Sequence, residues 1–418
     1  MRSLVIEKHL RRMVSAKILA DASVKRSLQW GPLALKEVDP PKIPTSDWLR
    51  VQPLLSGICG SDLATVLASA TRYFEPLVSF PFTPGHEVVG VTSETKTRVV
   101  LEAALTCIPR GRKPCRYCAL GQGQLCESVT VGDVKQGIQI GYCSSTGGGW
   151  SQELVAHRSQ LWPIDEHLSD EDAVLVEPLA CALHAAATTK VPKHAVVAVV
   201  GAGTVGLLTV AAIKYLNPHV NLAVVAKHPI QRESALKLGA NKLVGQEELG
   251  RSARRTTKAF QNGDWLSNGY DVVFDCVGSS ASLSNSIKSV KPGGEVVAVG
   301  MPSYTGIDLT PLWHREINLR GTYAYGTESF PKTSVEHLDL SKQVSHIDTG
   351  DTVSIRTFDL ALLAMEKLKL GWLITHKFPL ENYPQALEKA AHSGSQDAIK
   401  VVFDLRKAKS TSKGTNDL

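Results

Sequence analysis

The stretch VVAVVGAGTVGLLTVAAIK, residues 196–214, sets Gly201-x-Gly203-x-x-Gly206 between an apolar strand-like run and an apolar helix-like run. Each glycine answers a physical need. Gly201 permits a tight turn, Gly203 lets backbone approach a pyrophosphate, and Gly206 lets helix and strand pack closely. The helix N-terminus, with Val205 in its first turn, offers free N–H groups and a positive dipole end to the phosphates. Strand, turn and helix in this order mark a dinucleotide site.

Working outward, the alternation continues. Leu207–Tyr215 reads as a helix, Leu222–Val225 as a strand, and Arg232–Leu238 as a helix ending at Gly239. Asp271–Asp275, Ser282–Val290 and Glu295–Val299 repeat strand, helix, strand, so a parallel sheet with crossover helices is expected. Upstream, Asp170–Ala187 reads as a helix capped by Ser169. The first 150 residues are rich in Pro and Gly, with short apolar runs such as Trp48–Leu55 and Arg98–Leu101, which reads as irregular β structure. Leu4–Glu7 is expected to be a strand followed by a surface insertion over 8–28. Residues 327–357 read as a second surface insertion, and the polar tail after Arg406 as disordered.

The second strand should end on an Asp or Glu that holds the adenosine ribose hydroxyls. Here it ends Val225-Ala226-Lys227-His228, with no carboxylate. Lys227, with Arg232 one helical turn on, suits a 2′-phosphate, so NADP is expected over NAD.

The 418 residues exceed one ordinary core and suggest two domains. A net charge of +6 is small for this length and gives no reason to expect nucleic acid. The basic cluster Arg251, Arg254, Arg255 and Lys258 reads as a solvated loop. No apolar run approaches the roughly 20 residues that span a bilayer, so no membrane partner is expected. The N-terminus lacks a secretory h-region, which points to the cytoplasm.

Of eight cysteines, Cys107, Cys115, Cys118 and Cys126 fall within twenty residues. Such crowding without a secretory signal favours metal over disulfides, and four thiolates make a closed, structural zinc site. A second constellation is scattered: Cys59 in Gly57-Ile-Cys-Gly-Ser-Asp62, His86 and Glu87 in Pro84-Gly-His-Glu87, and Glu177 before Pro178. Cys, His and a carboxylate form an open zinc site with one position left for water or substrate.

With these motifs together the chain resembles the zinc-containing medium-chain dehydrogenase/reductase (alcohol dehydrogenase) superfamily, closest to its sorbitol and threonine dehydrogenase branch. Alcohol dehydrogenase is itself a standard instance of an open zinc site. The Lys291-Pro-Gly-Gly294 turn and Thr375-His-Lys-Phe-Pro-Leu380 add to the match. The resemblance implies an α/β fold: a GroES-like β-rich catalytic domain (1–181 and 327–418) and a Rossmann doubly wound parallel-sheet domain (182–326). It also implies two zinc ions per chain, one on Cys59, His86 and either Glu87 or Glu177, the other on Cys107, Cys115, Cys118 and Cys126.

By the same resemblance Cys59, His86 and Ser61 form the catalytic set, with Ser61 starting proton release. The expected activity is hydride transfer between a secondary alcohol, polyol or amino alcohol (or the matching ketone or aldehyde) and NAD(P), in a homodimer or homotetramer. A zinc-free enone or quinone reductase and a redox-inactive NAD(P)-binding regulator are the other readings.

The chain departs from the family pattern in places. Position 112 is Arg, so Cys107 must reach in from farther away. The barrel is expected to be trimmed between Gly90 and Cys107, where a usual glycine is replaced near Lys96. Ala64 stands where many relatives carry a relay His, so the proton's next step must use water or another group.

Overall fold

The computed structural model describes residues 1–20, 23–302, 304, 306–338 and 346–406. The expected disorder after Arg406 lies outside the described residues.

The strand-like run at 196–200 is the hub of a six-stranded sheet. Its spatial order is Lys242–Val244, Asn221–Val225, Val196–Val200, Tyr270–Asp275, Val290–Ala298 and Asn318–Gly321, every pair parallel. In sequence terms the order is 3-2-1-4-5-6, the doubly wound Rossmann arrangement. It leaves a crevice at the carboxyl ends where strands 1 and 4 part company. Strands buried on both faces read as unbroken Val and Ala runs, which is why they were legible. The helix Thr204–Leu216 follows the first strand directly.

A second sheet of seven strands, mostly antiparallel, is centred on Trp48–Gly57. It pairs with Val88–Thr92, with Leu154–His157 and with the final strand Lys400–Asp404. Lys96, where a glycine was expected, adopts φ +56 in the hairpin between Val88–Thr92 and Arg98–Leu101.

The helix Val176–Ala187 lies at the centre of the molecule. Ten of its twelve residues are buried, including Glu177 and His184. Ser169 caps the short preceding helix Asp170–Ala173 by accepting from Asp172 N, so the expected 170–187 helix is broken after Ala173.

Three expectations need correction. Residues 327–357 are not a surface insertion. The strands Thr327–Pro331, Thr352–Arg356 and His346–Thr349 form an antiparallel sheet, and Phe330, Val353 and Ile355 belong to the main core. The segment is fastened by polar bonds as well. His184 Nδ1 donates to buried Glu328 Oε1, which also accepts from Thr357 Oγ1. Residues 8–28 form the helices Leu10–Ala20 and Val24–Trp30, and the second buries Val24 and Leu28 in a core shared with Leu4, Ile6 and Phe403. Arg251, Arg254 and Arg255 stand on a helix, Leu249–Thr257, rather than on a loop; they are solvated as expected.

If the 327–357 segment is structural, breaking the His184–Glu328 bond must be felt globally. Glu328→Ala should lower unfolding free energy by about 1.5–3 kcal/mol, the range for a hydrogen bond to a charged group. Ser329→Ala, on the exposed face of the same strand, should cost less than about 0.5 kcal/mol. Urea titration of both variants checks this; equal, small losses would return the segment to surface status.

Candidate active site and metal centres

Cys59, His86 and Glu87 come together although their motifs are separate in the chain: their ligand atoms all lie within 4.8 Å of one another. Cys59 ends the connection from Trp48–Gly57 into the helix Gly60–Val66. Asp62 turns back to accept from Cys59 N at 3.1 Å, and its other oxygen stands 3.4 Å from His86 Nδ1. Gly57 makes room for the site, because a Cβ there would meet Glu87 Oε2 at 1.7 Å.

Glu177 is not part of that close group, but it is buried nearby. Its carboxyl is pushed up to about 7, mainly by burial; His86 opposes the shift and the charge of Glu87 adds to it. His86 is raised well above its usual value: burial works against its charge, but Asp62 and Cys59 outweigh it. Three carboxyls and a thiol thus face one another, with Lys400 as the fixed cation. His86 Nδ1 has no hydrogen-bond partner. A thiol, an imidazole and a carboxylate within reach of one another form a soft-and-hard donor set that suits a zinc ion.

The other four cysteines also converge, their sulfurs all within 4.8 Å. Cys107 Sγ and Cys126 Sγ stand 3.6 Å apart, close to the roughly 3.8 Å edge of a tetrahedron with zinc–sulfur bonds of 2.3 Å. Cys107 reaches the group because the chain folds back on itself, with Arg112 N bonding Cys107 O and Cys115 N bonding Cys107 Sγ. Ser128 N likewise donates to Cys126 Sγ. Beneath this loop the buried guanidinium of Arg110 collects the carbonyls of Leu105, Val131, Val134, Lys135 and Gly137.

At the dinucleotide turn Gly201 has φ +93, and a Cβ on Gly206 would meet Gly201 O at 1.9 Å. A Cβ on Gly203 would meet nothing within 4 Å, so open space lies over that turn. Val205 is half-buried in the first turn of the helix. Lys227 is exposed at the end of its strand, and Arg232 Nη1 reaches back to Ala226 O at 3.2 Å. Thr204 Oγ1 donates to Ile399 O, tying the nucleotide helix to the segment that leads into Lys400.

Sequence reasoning missed three residues. Lys400, fully buried, forms an ion pair with Glu87 Oε2 and donates to Ile58 O. Within Ala398-Ile-Lys-Val-Val-Phe403 it reads as an ordinary outward residue of a strand. Tyr142 is buried, and its hydroxyl lies close to Ser61 and meets Thr65 Oγ1 and Asp62 Oδ1 at 3.5 Å each; burial pushes its pKa far up. It therefore stands beside Ser61, where the chain has no His at position 64.

Tyr323 sits where the chain crosses from the parallel sheet. Thr322 N still bonds Ala298 O, while the Tyr325 hydroxyl accepts from Ala103 N. Tyr323 is 46% open to solvent. Burial pushes its pKa up to about 12, and it lies within electrostatic reach of His86, Glu177 and Cys59. No sequence signal distinguishes it from a surface tyrosine.

Comparison with known proteins accords with this geometry. An alcohol dehydrogenase GroES-like domain model matches residues 45–166 and a zinc-binding dehydrogenase model residues 204–339. A sorbitol dehydrogenase of Bacillus subtilis is 30% identical over 297 residues, 68% of this chain and 77% of the relative. An L-idonate 5-dehydrogenase of Vitis vinifera is 26% identical over 372 residues, 85% of this chain and 88% of the relative. The crystal structure of the 2R,3R-butanediol dehydrogenase of Bacillus subtilis shares the fold with a TM-score of 0.65, at 21% identity, covering 90% of this chain and 96% of that one.

The fold and paired motifs are those of an NAD(P)-dependent zinc dehydrogenase. The chain belongs to the zinc-containing medium-chain dehydrogenase/reductase superfamily, in its sorbitol and threonine dehydrogenase-like branch.

The raised Glu177 carboxyl has a measurable sign. In metal-free protein the unfolded chain ionises it near its usual 4.5, the folded protein only near 7. As pH rises between these values the unfolded state loses its proton first, so stability falls, by on the order of 3 kcal/mol in all, and then levels off. Urea unfolding at pH 5 and pH 8 should show the fall, and Glu177→Gln should remove it. An unchanged difference in that variant would refute the assignment.

Proposed function

We propose that the chain oxidises a secondary alcohol, polyol or amino alcohol, or reduces the matching ketone or aldehyde, with NADP as the preferred cofactor. The observation that carries this is the convergence of Cys59, His86 and Glu87 in a protein whose dinucleotide turn is intact. The active relatives named above, on sorbitol and idonate, support the polyol class. The proposed division is a catalytic domain of 1–181 and 327–418 and a dinucleotide domain of 182–326. A cytoplasmic setting fits this chemistry; among the described residues no helix is long and apolar enough to cross a membrane.

Cys59, His86 and a carboxylate would hold the catalytic zinc, and Cys107, Cys115, Cys118 and Cys126 a second, structural one. Proximity favours Glu87 as the carboxylate; Glu177 stands behind it. Bound there, zinc supplies a Lewis acid for the alcohol oxygen and the dinucleotide a hydride acceptor. Ser61 would receive the alcohol proton and release its own, and the Tyr142 hydroxyl, which donates to Asp62, is the proposed next group in that relay in place of a residue-64 His. Asp62 sets a negative charge 3.4 Å from His86 Nδ1, and Lys400 balances Glu87.

A homodimer or homotetramer is the proposed assembly. The parallel sheet ends on Asn318–Gly321, beside Leu309, Trp313 and Leu319, which are 54%, 78% and 40% exposed. An edge strand flanked by apolar side chains invites a second copy. Light scattering should give at least twice the 45.1 kDa chain mass; a monomer would exclude it.

Metal analysis and turnover test the main reading together. Purified protein should hold two zinc ions per chain and oxidise members of a secondary-alcohol panel. Cys115→Ser should lose one ion and destabilise the fold. His86→Ala should abolish turnover but leave cofactor binding nearly intact, and Ser61→Ala should slow turnover about 100-fold or more. Zinc-free enone reduction, or cofactor binding without turnover on any alcohol or carbonyl, would overturn the reading.

Cofactor choice rests on Lys227 and Arg232. A charge-assisted hydrogen bond is worth roughly 10- to 150-fold, toward the lower end for an exposed residue in salt. NADP should bind more tightly than NAD, by a margin that shrinks with ionic strength. Lys227→Ala should weaken NADP alone, and Ala226→Asp should reverse the order. Equal or tighter binding of NAD to the wild-type protein at low salt would refute the preference.

A further inference from the structure

The helix Leu10–Ala20 lies between the first two paired strands, Arg2–Ile6 and Leu33–Glu37, and takes no part in the site described above. Its underside is fixed. Ala16, its one fully buried residue, accepts a hydrogen bond through its carbonyl from Ser27 Oγ at 2.9 Å. Its outer side carries Leu10, Val14 and Ile18, exposed by 78%, 48% and 70%.

At 3.6 residues per turn these three fall within an arc of about 80°, opposite Ala16. Lys17 borders one side of the stripe and Arg11 the other. The helix holds Arg11, Arg12 and Lys17 and no acid, while Lys8 and His9 just before it face Glu75 and Glu7. A convex aliphatic ridge between cationic rims is the pattern of a helix lying in a lipid interface: the ridge enters the acyl boundary and the long cationic side chains stay at head-group level. A second copy of this helix would set Arg11 and Lys17 against like charges.

We propose that the outer face of the helix Leu10–Ala20 docks on an anionic lipid surface. The expectation of no membrane partner rested on the lack of a spanning run, which says nothing about a helix lying flat.

The test is sedimentation of the full chain with vesicles of phosphatidylcholine alone, or of phosphatidylcholine with about one third phosphatidylserine, at low and high salt. Binding is expected to the anionic vesicles, weakening as salt rises. The double variant Leu10→Asp, Ile18→Asp should reduce it tenfold or more, since burying one such side chain is worth about that factor. Arg11→Glu with Lys17→Glu should abolish the preference for phosphatidylserine. Unchanged circular dichroism and dehydrogenase turnover in the variants would confirm intact folds, because these side chains touch no part of the site. Failure of the wild-type protein to sediment with anionic vesicles at low salt would overturn the proposal. So would sedimentation that survives the double variant, equal binding to both vesicle types, or binding to polyglutamate without binding to vesicles.

Discussion

Burial of the helix Val176–Ala187 on almost every side is the constraint on which the structure depends. A helix apolar all round must be covered all round. Here the cover comes from three directions: the nucleotide helix Thr204–Leu216, the helix Thr357–Leu368, and strands of the barrel-like sheet including Val100. The two ionisable residues it takes inside sit about two turns apart and meet opposite needs. His184 is satisfied by Glu328, which fastens the late three-stranded sheet. Glu177 faces the candidate zinc ligands and carries a desolvation penalty that a bound cation would offset.

How much could be read from sequence followed the range of the physical interactions. The four inner strands of the parallel sheet were legible, because a strand buried on both faces announces itself locally: Val196–Val200 was expected and found, and Asn221–Val225 differs by one residue. The short edge strands Lys242–Val244 and Asn318–Gly321 were not read, since neither carries a continuous apolar run. The two groups of candidate metal ligands could be picked out in the sequence because Cys and His at such spacings are rare, and the structure brings Cys59, His86 and Glu87 together, and likewise the four cysteines. The segment 327–357 was misread because its strands alternate polar with apolar residues, and only the fold shows that Phe330, Val353 and Ile355 face a core. The helix Val24–Trp30 was misread for the same reason.

Lys400, Tyr142 and Tyr323 show the harder limit. A lysine in a strand, or a tyrosine after a glycine, has no local feature that separates a solvated side chain from one aimed at a cluster of carboxylates. Their meaning depends on partners far away in the chain. Glu87 and Glu177 remained alternatives in the sequence for the same reason: each follows a recognisable motif, and only spatial grouping places Glu87 nearer Cys59 and His86.

The pairing of Lys400 with Glu87 also bears on how the molecule is made. The lysine's second bond, to Ile58 O, joins residues 342 positions apart. During synthesis the motifs that carry Cys59, His86 and Glu87 leave the ribosome early, yet their counter-charge arrives with the strand Lys400–Asp404, more than 300 residues later. Until then the carboxylate of Glu87 cannot be buried without a heavy cost, and the central strand Trp48–Gly57 lacks its neighbour Lys400–Asp404. A chain cut short before Lys400 would therefore keep every candidate metal ligand and lack both the charge that balances Glu87 and the strand that flanks Trp48–Gly57.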